Sequence, residues 1–293
     1  MDNTPFRQRR LSLIARMQQA GGGVAVVPTA PEQTRNRDAQ FPYRPDSYFQ
    51  YLTGFNEPEA ALVIVAAPHG SADAAQSILF CREKNAEREI WDGFRYGPDA
   101  AKETFAFDAA HAIGDFDAQL AALLADQPAL WFSLGHDAAW DARIIQALNA
   151  VRAQARSGKR APAALRDVRV ELDAMRLIKD ASEIALMRRA GEISAAAHRR
   201  AMRFAAPGRY EHEVEAELLY EFRRQGCEAP AYTSIVAAGA NACVLHYVGN
   251  DQLLRDGDLL LIDAAGELSG YASDITRTFP VNGRFSAAQA DIY

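Results

Sequence analysis

The stretch Asp258-Leu-Leu-Leu-Ile-Asp263 followed by Gly270-Tyr-Ala-Ser-Asp274-Ile-Thr-Arg277 constrains this chain more than any other. Leu259 to Ile262 is an unbroken apolar run, the composition of a strand buried on both faces. Gly266 and Gly270 bracket a short loop, and Tyr271 to Phe279 resumes strand composition, so the segment reads as a hairpin. Centring its turn between Leu268 and Ser269 sets Asp263 directly opposite Asp274. Facing residues hold their Cβ atoms about 4.5–5.5 Å apart, where like charges repel. Two ionised carboxylates on a mostly apolar hairpin need a compensating cation, or one must keep a proton. One divalent metal, or a pair, meets that need most simply. The alternative makes Asp263 a strand-end turn former and Asp274 a solvent-face residue, and the pattern by itself leaves both open.

At 293 residues the chain is long enough for two domains. Hydrophobic residues at 49% and charged residues at 24% describe an ordinary globular protein. A net charge of −6 leaves no electrostatic footprint for nucleic acid or an anionic membrane. No apolar run approaches the roughly 18 residues of a transmembrane helix. Cys81, Cys227 and Cys243 are far apart, odd in number and match no zinc spacing, which fits a reducing, cytoplasmic setting. The basic N-terminal stretch, with Arg7, Arg9, Arg10 and Arg16 among Leu11, Leu13, Ile14 and Met17, reads as a structural amphipathic helix. No cleavage-like break before Val24 marks it as a transit peptide.

The spacing predicts a helix over 5–20 and strands Val24–Val27, Leu62–Ala67 and Ser77–Cys81. An Ala-rich helical stretch over 100–127, a strand Leu130–Leu134 and a helix Ala138–Ala153 follow. Strands interleaved with helices define an α/β first domain. The basic stretch Arg152–Arg169 contains Ser157-Gly158 and Pro162 and reads as a solvated linker. A capping box at Asp180-Ala-Ser-Glu183 opens a helix to about Phe204, with Ile184, Met187, Gly191 and Ala201 near one face. Glu211–Gln225 is a second helix, after which strands Ser234–Ala237 and Val244–Val248 flank a turn at Gly239-Ala-Asn241. His246 in such a strand reads as a hydrogen-bonded core histidine or as a functional one. Thr276 and Arg277 fit support for the aspartates or plain exposed strand positions. Asp38 and Trp91 fall in loops of the first domain. Gly-x-Ser-x-Gly, a phosphate-binding P-loop and His-Glu-x-x-His are all absent from the sequence.

Read together, Val244-Leu-His246-Tyr, Arg255-Asp-Gly-Asp-Leu-Leu-Leu-Ile-Asp263-Ala and Gly270-Tyr-Ala-Ser-Asp274-Ile-Thr-Arg-Thr-Phe-Pro280 resemble the aminopeptidase P (Xaa-Pro aminopeptidase) family of pita-bread metallopeptidases. Arg35-Asn-Arg-Asp38, Pro42-Tyr-Arg, Tyr51-Leu-Thr-Gly-Phe-Asn-Glu-Pro58-Glu-Ala60 and Glu89-Ile-Trp91 are similar to that family's N-terminal domain. Methionine aminopeptidase lacks such a domain, whereas prolidases and creatinase are nearer rivals. The resemblance implies an α/β N-terminal domain with its linker over 1–174. An α+β pita-bread catalytic domain, partial here, is implied over 175–293.

The resemblance further implies two divalent metal ions, most often manganese, held by two aspartates, a histidine and two glutamates. Asp263 matches the first aspartate and Asp274 the second, which bridges the ions. His246 matches a histidine that contacts substrate near the scissile bond and is not a ligand. Tyr232, in Ala231-Tyr-Thr-Ser-Ile-Val, matches an active-site tyrosine. Asp38 and Trp91 match N-domain residues that, in tetrameric members, reach a neighbouring subunit's active site. Ala264-Ala265-Gly266 departs from the family's usual Ala-Gly directly after the aspartate. The histidine and both glutamate ligands are expected beyond Tyr293, so the chain by itself is expected to be truncated and inactive. The activity implied is release of the N-terminal residue from peptides with proline in second position. A prolidase acting on Xaa-Pro dipeptides and a non-catalytic pita-bread binding module are the alternatives. The setting implied is a cytoplasmic homo-oligomer, a dimer or tetramer, that acts on Xaa-Pro peptides and binds neither nucleic acid nor membrane.

Overall fold

A computed structural model describes residues 3–68 and 75–293, and the chain divides into two compact units, Met1–Ile178 and Lys179–Tyr293. In the first unit the strand segments are apolar without alternation, so each must bury both faces. Of the strands, β1 (Gly23–Pro28), β2 (Ala61–Ala66), β3 (Gln76–Cys81) and β5 (Ala129–Trp131) largely satisfy this, whereas β4 (Ala109–Ala112) is half-buried and β6 (Ala164–Arg166) mostly exposed. They form one sheet in the order β4-β3-β2-β1-β5-β6. The β1–β2 and β2–β3 pairs are antiparallel, and the β3–β4, β1–β5 and β5–β6 pairs are parallel.

The helices of this unit are α1 (Thr4–Gln19), α2 (Ser47–Thr53), α3 (Ala86–Asp92), α4 (Gly97–Phe105), α5 (Phe116–Leu124), α6 (Ala138–Arg152) and α7 (Val168–Leu177). Successive strand residues point to opposite faces. Ala25, Val27, Leu62, Ile64 and Leu79 pack with Leu13, Phe49, Phe105 and Leu172 on one side. Val24, Val26, Val63 and Phe80 pack with Phe116, Leu120, Ile144 and Val151 on the other.

Arg10 shows what the basic N-terminal helix does. It is 1% exposed and donates to the carbonyls of Leu52, Phe105 and Ala106, the unpaired ends of α2 and α4. Its guanidinium lies over the Phe107 ring, and burial lowers its pKa to about 10. Two expectations change in this unit. Residues 100–127 are not one helical stretch, because β4 and a 3-10 turn (Ile113–Asp115) separate α4 from α5. Pairing with β3 overrides the helical preference of alanine there. The stretch read as a solvated linker likewise contains β6, the edge strand of the sheet.

The second unit comprises α8 (Ala181–Phe204), α9 (Glu211–Arg224), α10 (Ala287–Ile292) and strands β7 (Ala229–Pro230), β8 (Ile235–Ala238), β9 (Leu259–Asp263), β10 (Gly266–Leu268), β11 (Tyr271–Ala272) and β12 (Thr276–Pro280). The strands form two antiparallel three-stranded sheets, β12-β9-β8 and β11-β10-β7. Its core joins Ile193, Ala197 and Ala201 of α8 and Val214, Leu218 and Phe222 of α9 to Val236, Leu260 and Ile262.

The capping box forms at the start of α8, as the sequence indicates. The buried face of that helix does not follow the apolar pattern: Ile184 and Met187 are exposed, and the inward row includes Ser194 and His198. Those two polar groups face backbone that needs partners, as described below. The strand expected at Val244–Val248 is also absent. A 3-10 turn (Gly239–Cys243) runs into an irregular turn in which Val244, Leu245 and Val248 are exposed and no strand lies alongside. No helix among the described residues is long and apolar enough to cross a membrane.

Candidate metal centre

Asp263 ends the central strand β9, paired with Ile235 on one side and Thr276 on the other. The hairpin closes between Leu268 and Tyr271, leaving Ser269 and Gly270 as a two-residue loop with φ of 51° and 79°. Two positive φ values in succession define a type I′ turn, whose twist matches the strands it joins. The turn centre therefore lies between Ser269 and Gly270, one residue later than the sequence pattern places it. Asp263 faces Thr276, and Asp274 is its diagonal neighbour instead of its direct partner. Moving the partner by two positions keeps Asp274 on the same face as Asp263, because side chains alternate with period two.

Between β9 and β10 the chain passes from one sheet to the other through Ala264 and Ala265, both fully buried. Two side chains of α8 pin this crossing. His198 Nε2 donates to the Ala264 carbonyl at 2.8 Å, and burial pushes its pKa below the ordinary histidine value, so the ring is neutral. Ser194 Oγ accepts from the Gly266 amide at 2.9 Å and lies 2.8 Å from Ser273 Oγ on the returning strand. Gly266 leaves no room for a side chain, since a Cβ there would lie 2.6 Å from Cys227 Sγ. Small residues at 264–266 thus let the helix and the crossing approach closely.

Pairing of β7 with β10, extended by the Ala231 amide donating to Ala265 O at 2.8 Å, sets Tyr232 beside this crossing. Tyr232 Oη makes a short hydrogen bond to Asp263 Oδ1 and lies 3.0 Å from Asp274 Oδ1. A phenol has one proton to give. Burial, then the hydrogen bond and charge of Asp263, hold Tyr232 well above the ordinary tyrosine value, so that proton stays on. Three oxygens therefore converge on the one phenolic proton. Among the described residues no other donor or ion pair reaches either carboxylate, and Arg277 donates instead to Thr276 O at 2.6 Å. A divalent cation is the physical complement of such a pair. Asp263 is half-buried and Asp274 exposed, so an ion held there would be reachable from solvent. Among the described residues no cluster of three or more metal-binding side chains forms, so the pair fits part of a coordination shell.

Tyr232, Asp263 and Asp274 come together; His246 does not join them by any hydrogen bond and sits exposed on the turn after Cys243. In the first unit, Asp38 is exposed in a loop closed by the Thr34–Gln40 bridge. Trp91 lies in the short helix α3, not in a loop, and is 81% exposed beside Ile90. The sequence reading passed over Ser194, His198 and Glu211. The first two sit in an apolar-looking helix, and an acidic first turn is ordinary for any helix.

Residues 6–131 match the aminopeptidase P N-terminal domain, and residues 185–293 match metallopeptidase family M24. The Xaa-Pro aminopeptidase of Escherichia coli is 45% identical over 288 residues, 98% of this chain and 64% of that protein. Two solved structures superpose with a TM-score of 0.96 at 44% identity, covering 100% of this chain and 66% of theirs. They are an E. coli aminopeptidase P with glutamate replaced by alanine, in complex with substrate, and the zinc-substituted enzyme in complex with product. The chain belongs to the aminopeptidase P family of M24 metallopeptidases, a family that works with divalent metal. It spans just under two thirds of the length of these relatives.

Proposed function

We propose that the protein is a metal-dependent aminopeptidase that releases the N-terminal residue from peptides with proline in second position. The observation that carries this is the convergence of Asp263 and Asp274 on the single hydroxyl of Tyr232. Support comes from the likeness to E. coli Xaa-Pro aminopeptidase and to structures of that enzyme with substrate and with zinc and product. In this reading Asp263 and Asp274 hold two divalent ions, manganese by choice, as part of a larger coordination shell. Bound divalent metal supplies Lewis acidity and lowers the pKa of water.

The chain's own residues do the rest. Tyr232 Oη orients both carboxylates. Asp263 receives the free α-amino group of the peptide, which restricts cleavage to the N-terminal bond. His246, exposed on its turn, contacts substrate near the scissile bond. Asp38 and Trp91, both exposed, serve the site of a neighbouring copy in a homo-oligomer. Three cysteines without a disulfide favour a cytoplasmic setting.

The test is release of the first amino acid from an Xaa-Pro-Xaa tripeptide by the full-length protein with added manganese, with metal content measured alongside. Stoichiometric metal that is lost in Asp274→Asn supports the reading. Turnover of Xaa-Pro dipeptides alone moves the assignment to a prolidase, and a folded, metal-free, inactive wild type sinks it.

A further inference from the structure

Glu211 is the first residue of α9, and its side chain is fully buried. A carboxylate taken out of water needs a cation or a full set of donors. Among the described residues Glu211 forms no ion pair; it has donors. Oε1 accepts from the Ala238 amide at 2.7 Å and from Asn241 Nδ2 at 3.3 Å. Oε2 accepts from Tyr247 Oη at 2.7 Å and from the Gln252 amide at 3.0 Å. The Glu211 amide also donates to Gln252 O at 3.0 Å. The amino end of α9 adds a favourable field for the charge.

Every one of those side-chain donors belongs to a single segment, from the end of β8 through the 3-10 turn to Gln252. A second clamp lies just inside it. Asn250, 3% exposed with φ of 49°, accepts from the Val236 amide at 3.0 Å and donates to Ser234 O at 2.9 Å. Between the clamps, Val244, Leu245, His246, Val248 and Gly249 are exposed, and Leu245 is 90% so. The backbone bonds from the Val244 amide to Asn241 O and from the Tyr247 amide to Val244 O are the local ones. No apolar side chain of this turn is buried, so packing does not fix its shape. Polar contacts must.

We propose that Glu211 is a positioning residue for His246: its buried carboxylate, through Tyr247 next to that histidine, fixes the conformation in which His246 is presented. The role of His246 as a substrate contact rests on the function proposed above; the anchoring itself does not. Burial and the Glu211 hydrogen bond push the Tyr247 hydroxyl up to about 12, so it remains a donor at neutral pH. Glutamine cannot substitute cleanly. Whichever way its amide turns, Nε2 meets the backbone N–H of Ala238 or of Gln252.

Tyr247→Phe is the sharper probe, because it removes the Glu211 contact, with the longer 3.3 Å contact to Asp251 Oδ1, and leaves the amides of Ala238 and Gln252 and the Asn241 side chain in place. Amide exchange of the full protein is measured for the wild type, Tyr247→Phe and Glu211→Gln. Tripeptide cleavage is measured for Tyr247→Phe alone and in a His246→Ala background. Exchange at the Val244 and Tyr247 amides, the hydrogen-bonded ones of this turn, is expected to rise about tenfold in Tyr247→Phe, the effect of one hydrogen bond to a charged group, while β9 and α8 keep their protection. The value of kcat/KM is expected to fall about tenfold in the wild-type background and to stay level in His246→Ala, with KM nearly unchanged. Unchanged exchange overturns the anchor. An equal loss in both backgrounds overturns positioning, because it assigns Tyr247 a purely structural role. If the wild type cleaves no tripeptide, the proposed function has failed, and the exchange comparison still decides for or against the anchor.

Discussion

Tyr232 holds one proton between two carboxylates, and its removal is felt directly by both. In Tyr232→Phe the ring and its packing stay while the one donor to Asp263 and Asp274 among the described residues goes. The metal-free protein is expected to lose about 1–3 kcal/mol, the cost of leaving charged acceptors without their partner. Excess manganese is expected to restore part of that loss, because a cation supplies the missing counter-charge. Urea unfolding with and without metal checks this, and a loss indifferent to metal would assign the hydroxyl to packing alone. Asp167 offers a separate case with a sign that can be worked out. It caps α7, accepts from Ser133 Oγ at 2.7 Å, and is held to a pKa of about 2, chiefly by Arg169. A carboxylate depressed in the folded state contributes stability above its unfolded pKa and loses it as pH falls toward 2. The wild type is therefore expected to lose more stability than Asp167→Asn between pH 5 and pH 2, with the two close at the acid end. Because the group is partly exposed, solvent screening keeps the difference below roughly 1 kcal/mol. Parallel pH titrations of urea midpoints would reveal it.

At the scale of elements, the crossing from β9 to β10 is tightly packed. A methyl group on Gly266 meets Cys227 Sγ at 2.6 Å, with Phe222 Cδ1 at 3.3 Å behind it. Gly266→Ala is expected to destabilise the protein by about 1–3 kcal/mol through overpacking, and by less in a Cys227→Ala background where the sulfur is gone. Chemical denaturation of the four variants tests that coupling; equal costs in both backgrounds would discard the steric account. The same crossing explains what was readable from sequence. The run Leu259–Ile262 declared β9, and two carboxylates eleven positions apart declared a charge problem on one hairpin face. The register was missed because Ser269 takes a positive φ, which nothing in a serine announces. The face survived that error only because the shift was even. The inward row of α8 was missed for a different reason: Ser194 and His198 are buried for the backbone they satisfy, which a hydrophobic pattern does not encode. Val244–Val248 has strand composition, yet its Tyr247 hydroxyl bonds to Glu211 and no strand pairs with it. Tyr232 is set by pairing of β7 with β10, a contact between segments far apart in the chain, and only the family resemblance marked it.

For the whole molecule, the consequence is where metal binding energy goes. Asp263 and Asp274 both belong to the unit Lys179–Tyr293, whose core draws every member from that unit. The sheet of the first unit is built on its own cores, one on each face. A ligand that binds the folded state stabilises whatever unfolds with its site, by about 2.7 kcal/mol at a hundredfold excess over Kd. Removing metal with a chelator is therefore expected to lower protection of amides in β8, β9 and β12, the sheet that ends at Asp263. Protection in β1, β2 and β3 is expected to stay unchanged. Hydrogen exchange of the protein with and without manganese makes the comparison strand by strand. Equal loss in both sheets would mean that the two units unfold as one, and the metal would then be a stabiliser of the entire chain.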